Sequence, residues 1–210
     1  MTECPRFEHL LVLPHLSIQN CNAINGSNTY GISITAFIGA MHVLERKARA
    51  AGWDWQFMGV GVVVHDHELQ ATSGAFVRAL HLTRNPLAKD GSTAAIVEEG
   101  RMHLSASLVF GIYSASLPPE GDAEKASQVR EWLAGMRLGG GSVWPNRKVH
   151  PKRQQPYWLA LGDAPENRST AFAAIKRKLL PGFALVERSD LLPARLAVLQ
   201  AQNPQATALD

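Results

Sequence analysis

The sequence predicts an α+β fold with a ferredoxin-like (RRM-like) core of the order strand, helix, strand, strand, helix, strand. Short and nearly continuous apolar stretches of strand character alternate with segments in which apolar side chains recur at helical spacing. The length of 210 residues suits one domain with a sizeable core. We therefore expect residues 1–210 to form a single domain.

The first strand and the first helix are predicted on either side of an asparagine-rich loop. Residues 9–13, HLLVL, have the character of a buried strand that Pro14 closes. The stretch 19–31, QNCNAINGSNTYG, favours an irregular loop, because asparagine side chains compete for backbone hydrogen bonds. Ser33 is a good N-cap for a helix that ends near Gly52.

The next strands are predicted to enclose a polar arm. Residues 57–65, FMGVGVVVH, are β-branched and nearly continuous, as expected of a central strand that is covered on both faces. Residues 76–82 and 101–113 are also predicted as strands. The polar segment between them is too long for a tight hairpin, so we expect it to project from the domain.

The second half of the chain is predicted to add two helices, a strand and a helical extension. Asp122 caps one helix, which ends near Gly139. Ser169 begins another, which a Pro-Gly pair ends. A strand is predicted at 183–188, and a helical C-terminal extension at about 189–210.

Charge is unevenly distributed along the chain. Between positions 130 and 178 there are ten Lys or Arg and three acidic residues, so this segment carries +7 while the rest carries −4. This asymmetry indicates a polyanionic partner on one side and a protein partner on the other.

Several function classes have no support in the sequence. Cys4 and Cys21 are interpreted as two free thiols in a reducing compartment, without a disulfide or zinc framework. No apolar run approaches the roughly 18 residues that a membrane span needs, and the first residues lack the character of a signal peptide. We expect a soluble cytoplasmic protein without a cofactor.

Two motifs suggest ligand chemistry. The stretch HDHE at 65–68 would place His65 and His67 on one face of a regular strand, at a spacing that can chelate a metal. Further ligands are not evident nearby, and a solvated strand end is the default interpretation. The stretch RLGGGSVWP at 137–145 has three glycines whose backbone N–H groups could approach a phosphate, with a flexible loop as the alternative.

A basic run follows the glycine stretch and has aromatic side chains on both sides. Such a pattern can pair cations with stacking surfaces for unpaired bases, and a solvated basic loop is nearly as good an explanation. The residues are Arg147, Lys148, Lys152 and Arg153, with Trp144 and Tyr157.

Four long stretches together resemble one known family. They are HLLVLPHLSIQNCNAINGSNTYG, LHLTRNPLAKDGSTAAIVEEGRMHLSASLVFG, AGMRLGGGSVWP and RKLLPGFALVERSDLL, and they span most of residues 8–195 in the expected order. The sequence is similar in these stretches to the second Csy subunit, a Cas-five-type RAMP protein, of type I-F CRISPR surveillance (Cascade) complexes. The basic run at 147–153 departs from this resemblance.

The resemblance implies a RAMP domain with a projecting thumb, placed at about residues 84–101. It implies an architectural, antiviral-defence role without catalysis, in which the chain holds the 5′ handle of CRISPR RNA (crRNA) within a ribonucleoprotein complex. The implied protein partners are the large Cas-eight-type subunit and the adjacent Cas-seven-type backbone subunit, with target DNA bound by the assembled complex.

The same resemblance implies which residues contact the RNA. They lie in the amide loop, before the thumb, after it and in the glycine stretch: Gln19, Asn20, Asn22, Asn25, Thr83, Arg84, Asn85, Arg101, Arg137, Gly139, Gly140, Gly141 and Ser142. No catalytic residue and no metal ligand is assigned.

Two alternatives stay open. A metal-independent endoribonuclease that processes precursor RNA would use histidines as general acid and base. The candidates for that role are His15, His42, His81 and His103. An interaction protein that assembles with the large subunit without binding RNA is the other.

Overall fold

The computed structural model of the chain describes residues 6–25, 31, 33–74, 78–81, 87, 89–93, 100–162, 164–186, 190–205 and 207. Within these residues the protein is a mixed α+β structure with an antiparallel sheet, in agreement with the predicted class. The strands are β1 (His9–Asn22), β2 (Gln56–Leu69), β3 (Ala71–Ser73), β4 (Arg78–Leu80), β5 (Arg101–Tyr113), β6 (Arg137–Leu138), β7 (Gly141–Pro145), β8 (Tyr157–Ala160) and β9 (Phe183–Ala184). The helices are α1 (Ile34–Ala50), α2 (Ala123–Ala134), α3 (Pro165–Leu179) and α4 (Leu191–Gln202), with a short 3-10 helix at Pro151–Gln154.

The main sheet is centred on β1 and β5. Its strand order is β6-β7-β1-β5-β2-β9, and every neighbouring pair is antiparallel. β1 has two partners on its outer side, because β8 pairs with its first half and β7 with its second half. The strand that runs through the middle of the sheet therefore organises most of the domain.

Helices cover the sheet on both faces, but unequally. Apolar side chains of α1 and α2, such as Phe37, Leu44 and Leu133, are buried against one face in the larger core. On the other face, Ile175 and Leu179 of α3 pack in a smaller cluster with the first half of β1. The second half of β1 on this face is not part of that cluster.

β1 continues well beyond the predicted strand at 9–13, so the prediction that Pro14 closes it is wrong. The pairing of β1 with β5 shifts register between Leu13 and Leu16, and again between Ile18 and Cys21. An irregularity of this kind accommodates a proline, which has no N–H to donate to the ladder. Asn20 and Asn22 consequently belong to a strand. The predicted loop at 19–31 lies only partly within the described residues, because 26–30 are outside them.

The predicted helices are confirmed with shifted ends. Ser33 is the N-cap residue of α1, although its side chain bonds to Thr35 rather than to the helix backbone. The carboxylate of Asp122 caps α2 by accepting a hydrogen bond from the N–H of Lys125 at 2.9 Å. α3 begins at Pro165 rather than Ser169, since proline is well suited to the first turn of a helix.

The region around the predicted arm differs from expectation. β4 pairs with β3 in a small separate hairpin, so within the described residues the two strands predicted on either side of the arm are not paired with each other. The predicted strand at 101–113 is confirmed as β5, which begins at Arg101 directly after the buried Gly100. Most of the proposed thumb, 84–101, falls outside the described residues.

Asp54 joins the start of β2 to the loop after β5. Its carboxylate accepts hydrogen bonds from the hydroxyls of Ser116 (2.6 Å) and Ser114 (2.8 Å), and from the N–H groups of Ala115 (2.9 Å) and Ser116 (3.1 Å). These bonds, those from the Ser116 and Ser114 hydroxyls first, lower the pKa of Asp54 to about 2. The ionised carboxylate therefore holds two neighbouring connections together.

Within the described ranges, no helix combines the length and the apolar character that crossing a membrane requires.

We expect Gly141→Ala to destabilise the fold strongly. A Cβ at this position would lie 2.7 Å from the carbonyl oxygen of Gln19 and 2.8 Å from the N and Cβ of Cys21, so β7 would have to move away from β1. The expected loss in free energy of unfolding is about 2 kcal/mol or more. Gly39→Ala, on an open face of α1, is the matched control and should raise stability by about 0.5–1 kcal/mol. Chemical denaturation of both variants measures this, and equal effects would contradict the close packing of β7 on β1.

Asp54→Asn should reduce stability at neutral pH and much less in acid. Because the folded-state pKa of Asp54 is lowered from 3.8 to about 2, its contribution is complete above about pH 4 and is lost as pH falls towards about 2. The difference in free energy of unfolding between wild type and variant should shrink across that interval. Glu120→Gln, on an exposed turn, is the control, and a difference that stayed constant for Asp54→Asn would refute the proposed role.

Candidate nucleic-acid interface

The second irregularity of β1 fixes the position of Asn20. Its φ of 55° is in the left-handed region, which asparagine adopts more readily than most residues. The side-chain oxygen of Asn20 accepts a hydrogen bond from Nε2 of Gln70 at 2.6 Å, and its N–H donates to Nδ1 of His103 at 3.3 Å. Asn20 is exposed, and its bonds to Gln70 and His103 hold it in place.

Asn22 closes a local turn at the end of β1. Its Oδ1 accepts from the N–H of Ile24 at 3.2 Å and its Nδ2 donates to the carbonyl of Ile24 at 3.0 Å. The N–H of Asn22 donates to the carbonyl of Gly139 at 2.8 Å, which ties β1 to the glycine stretch. Part of the reason for the amide at this position is therefore structural.

The glycine stretch is a tight hairpin turn rather than a flexible loop. Gly139 and Gly140 connect β6 to β7 and have φ angles of 57° and 78°, as a two-residue type I′ turn requires. Gly141 follows where β7 touches β1 and has no room for a side chain. Each of the three glycines thus has a structural reason, and the turn still presents exposed backbone beside Arg101.

Two arginines flank this turn. Arg101, at the start of β5, pairs with Asn22 of β1, and its Nη1 lies 3.6 Å from the position that a Cβ of Gly140 would take. Arg137, on β6, is exposed and pairs with Ser142 of β7. The guanidinium of Arg101 therefore lies close to the glycine turn.

The structure thus brings most of the predicted contact residues to one end of the sheet. We call this set the amide–arginine cluster, and it consists of Gln19, Asn20, Asn22, Arg101, Arg137, the turn Gly139–Gly141 and Ser142. Gln19 joins it through its backbone pairing with Ser142. Asn25 is exposed three residues beyond Asn22. Thr83, Arg84 and Asn85 lie outside the described residues.

Beside this cluster lies a cavity that sequence reasoning did not predict. It has a volume of about 460 Å³ and lies on the sheet face that α3 covers only in part. We call it the sheet groove. Its floor is polar and is formed by Ser17 and Gln19 of β1 with His103 and Ser105 of β5.

The HDHE motif contributes one wall of the sheet groove, but not as a metal chelate. β2 is irregular between Val64 and Asp66, so His65 and Asp66 both line the groove, whereas His67 pairs with the core residue Leu104 on the opposite face. The expectation that His65 and His67 share a face is therefore wrong. In the described part of the chain, no group of three or more His, Cys, Asp or Glu is arranged to hold a metal ion.

His15 and His65 are packed together at the end of the groove. The φ of His15 is 52°, its N–H donates to Oγ of Ser107 at 2.8 Å, and the two rings lie 4.3 Å apart. Nδ1 of His65 must donate to the carbonyl of Pro181 (2.8 Å), so its Nε2 accepts the hydroxyl proton of Ser107 (2.6 Å). Burial is the main cause that lowers the pKa of His15, to about 4, so its ring is neutral at pH 7.

Of the four histidines considered for acid–base catalysis, His15 and His103 both line the sheet groove, whereas His42 and His81 are not among the residues that line it. His15 is buried and His103 is bonded to Gln70. His42 lies on α1 beside Glu45, and His81 bonds to Thr72 near the β3–β4 hairpin. Ser107 has the hydrogen bonds of an activated hydroxyl but is wholly buried, so this arrangement braces the strands.

Comparison with known proteins identifies the family of this chain. The profile of the family described as CRISPR-associated protein (Cas_Csy2) matches residues 11–210. The CRISPR-associated protein Csy2 of Pseudomonas aeruginosa (strain UCBPP-PA14) is 44% identical over 208 residues, which is 97% of this chain. The chain spans 63% of the length of that relative. The resemblance seen in the sequence is thereby confirmed, and the chain belongs to the Csy2 family of CRISPR-associated proteins of type I-F systems.

Proposed function

We propose that this chain is a non-catalytic RNA-binding subunit of a type I-F CRISPR effector complex, in which it holds the 5′ handle of crRNA. The observation that carries the proposal is the amide–arginine cluster. Segments far apart in the sequence, which the family resemblance implicates in RNA contact, meet at one end of the sheet in the folded chain.

The chemistry of the cluster suits single-stranded RNA. Arg101 and Arg137 supply positive charge for phosphates, and the amides of Gln19 and Asn20 offer both donors and acceptors. Such paired groups can hydrogen-bond ribose hydroxyls and base edges, and the Watson–Crick edges of the bases are accessible only where RNA is unpaired. The exposed backbone of Gly140 allows a close approach by a phosphate group.

We also propose that the core is a ferredoxin-like RAMP domain. The order β7-β1-β5-β2 supports this, because it places the first and third strands of a βαββαβ unit in the centre and the fourth and second outside. α1 and α2 lie on the same face of the sheet, as the two crossover helices of such a unit do. In this proposal residues 84–101 form the thumb and residues 189–210 the helical extension of a single domain.

The partners follow from the family resemblance. The chain would pair with the large Cas-eight-type subunit and contact the adjacent Cas-seven-type backbone subunit, so that the assembled complex surveys cytoplasmic DNA. Target sequence would be recognised by base pairing with the guide, while this subunit holds the shape of the RNA end. A subunit with this role requires no catalytic residue.

Replacing both arginines of the cluster should weaken RNA binding in a salt-dependent way. For Arg101→Ala with Arg137→Ala, we expect affinity for a synthetic 5′ handle RNA to fall about tenfold or more at low salt, and the slope of log affinity against log salt to become shallower by about 1.4, since each phosphate contact to a single strand contributes about 0.7. Fluorescence anisotropy across a salt series measures both quantities.

Two controls sharpen this experiment. Arg46→Ala with Arg177→Ala removes the same charge from exposed positions of α1 and α3, and should leave binding unchanged. Lysine at positions 101 and 137 should preserve the salt slope while losing affinity that depends on the planar guanidinium. If the cluster variant bound RNA like wild type, the site assignment would be wrong. Specific cleavage of precursor RNA in chelator would instead favour the endoribonuclease alternative.

Asn20→Gly separates the role of the amide in binding from its role in the strand. Glycine adopts the positive φ of Asn20 without strain, so the variant should fold and lose little more stability than the hydrogen bond from Gln70 contributes. Loss of the side chain should nevertheless weaken handle binding by about fivefold, corresponding to one hydrogen bond of about 1 kcal/mol. Asn20→Ala should also lose stability, because alanine is strained at this φ. Wild-type affinity in Asn20→Gly would show that the amide only braces β1.

A further inference from the structure

The basic segment between β7 and β8 has a fixed structure. Two buried amides hold it: Nε2 of Gln154 donates to the carbonyls of Asn146 (2.8 Å) and Val149 (2.7 Å), while Oε1 of Gln154 accepts from the N–H of Asn146 (2.9 Å). Arg130 of α2 donates to the carbonyl oxygen of Gln154, and Nδ2 of Asn146 donates to Oγ of Ser105 at 2.8 Å. A loop that is braced in this way presents its exposed cations in a defined geometry.

These cations and two carboxylates face each other across the sheet groove. Arg147, Lys148 and Arg153 line the side formed by the loop, and all three are exposed. Asp66 and Glu68 of β2 line the opposite side, and Nζ of Lys148 lies 3.7 Å from a carboxylate oxygen of Asp66. The groove is therefore positive on one side and negative on the other, with polar side chains between.

A ligand for this groove must carry complementary groups at its two ends. A simple anion would use only the basic wall and would be repelled by the carboxylates. A nucleotide has a phosphate at one end and, in guanine, cytosine and adenine, an exocyclic amino group at the other, which a carboxylate can accept. The volume of about 460 Å³ lies within the range of small-ligand sites, about 300–1,000 Å³, and accommodates one such unit.

His15 provides a second and independent indication of a ligand. His15 lines the groove, only 5% of the residue is exposed, and its ring Nε2 is buried without a hydrogen-bond partner in the structure. Buried polar atoms of this kind normally have a partner, so an unpaired one at a cavity marks a place where a bound group can supply it.

We propose that the sheet groove takes one unpaired nucleotide of the bound RNA, with its phosphate at the basic loop and the amino group of its base at Glu68. The inference rests on the proposed RNA-binding function and deepens it. Gln19 lines the groove and also pairs with Ser142 of the amide–arginine cluster. An RNA chain that is bound at the cluster can therefore continue directly into the groove. The site prefers guanine, cytosine or adenine over uracil.

Charge removal tests the phosphate end. Arg147→Ala with Lys148→Ala and Arg153→Ala should weaken binding of the synthetic 5′ handle RNA by about tenfold and make the salt slope shallower by about 0.7 to 1.4, which corresponds to one or two phosphates. Arg46→Ala with Lys176→Ala and Arg177→Ala removes equal charge from exposed helix positions and should leave binding unchanged. Equal affinities of the two triple variants would overturn the proposal.

A scan of handle RNAs, each with one abasic nucleotide, tests the base end. In wild type, one position should lose about tenfold in affinity when its base is removed. The tyrosine side chain in Ser17→Tyr should fill the groove. This variant should bind intact RNA and the RNA that is abasic at the sensitive position with equal affinity, while abasic nucleotides at other positions should change affinity as they do in wild type. Glu68→Gln should reduce the preference for an amino-bearing base over uracil at that position, whereas Glu120→Gln should keep it. A base effect that persists in Ser17→Tyr would contradict the proposal.

The outcomes distinguish this inference from the function on which it rests. If wild type does not bind handle RNA, both are wrong. If Arg101→Ala with Arg137→Ala weakens binding while the groove variants bind like wild type, the cluster is the RNA site and the groove inference alone is wrong. Should Ser17→Tyr fail to fold by circular dichroism, the triple variant of the exposed loop cations decides the question.

Discussion

The path of β1 through the middle of the sheet is the constraint on which the remainder of the structure depends. This one strand pairs with β5 along one side and with β8 and β7 in succession along the other, so its register sets the position of three strands. Its two irregularities, at His15 and Asn20, are held by specific bonds rather than by packing alone. Ser107 accepts from the N–H of His15, and Gln70 and His103 bond to Asn20.

The same strand divides one face of the sheet into two halves with different chemistry. Before the first irregularity, Leu10 and Val12 are apolar and are covered by α3. After it, Ser17 and Gln19 are polar and form the floor of the sheet groove. The apolar half stabilises the domain, because burying these side chains removes apolar surface from water. The polar half is left open beside the basic loop, where a polyanion can approach.

Much of the fold could be predicted from local sequence patterns. The strand at 101–113 and the caps of α1 and α2 were predictable because continuous apolar runs and capping residues act locally. The extent of β1 was not, since a proline normally ends a strand and the bulge that accommodates Pro14 is stabilised by contacts with distant Ser107. β6, β7 and β8 are short and lack a strong periodic signal, so only their pairing with β1 defines them.

The candidate site was predictable in composition but not in geometry. The amide and glycine segments stood out in the sequence, yet the reasons for Gly139 and Gly141, a positive φ and a close approach to β1, appear only in the folded chain. The sheet groove joins residues from β1, β2, β5 and the basic loop, which no local pattern relates. Its visible signs in the sequence are the HDHE motif and the basic run, whereas the buried amides of Asn146 and Gln154 that brace the basic run give no local signal.

Amide hydrogen exchange with and without handle RNA tests the central claim most directly, because it reports where the RNA lies on the folded chain. The account predicts that bound RNA slows exchange in the turn at 137–142 and in the loop at 146–154, while α3 at 165–179 is unchanged. Slowing on α3, with no change in the turn or the loop, would contradict an RNA site at this end of the sheet.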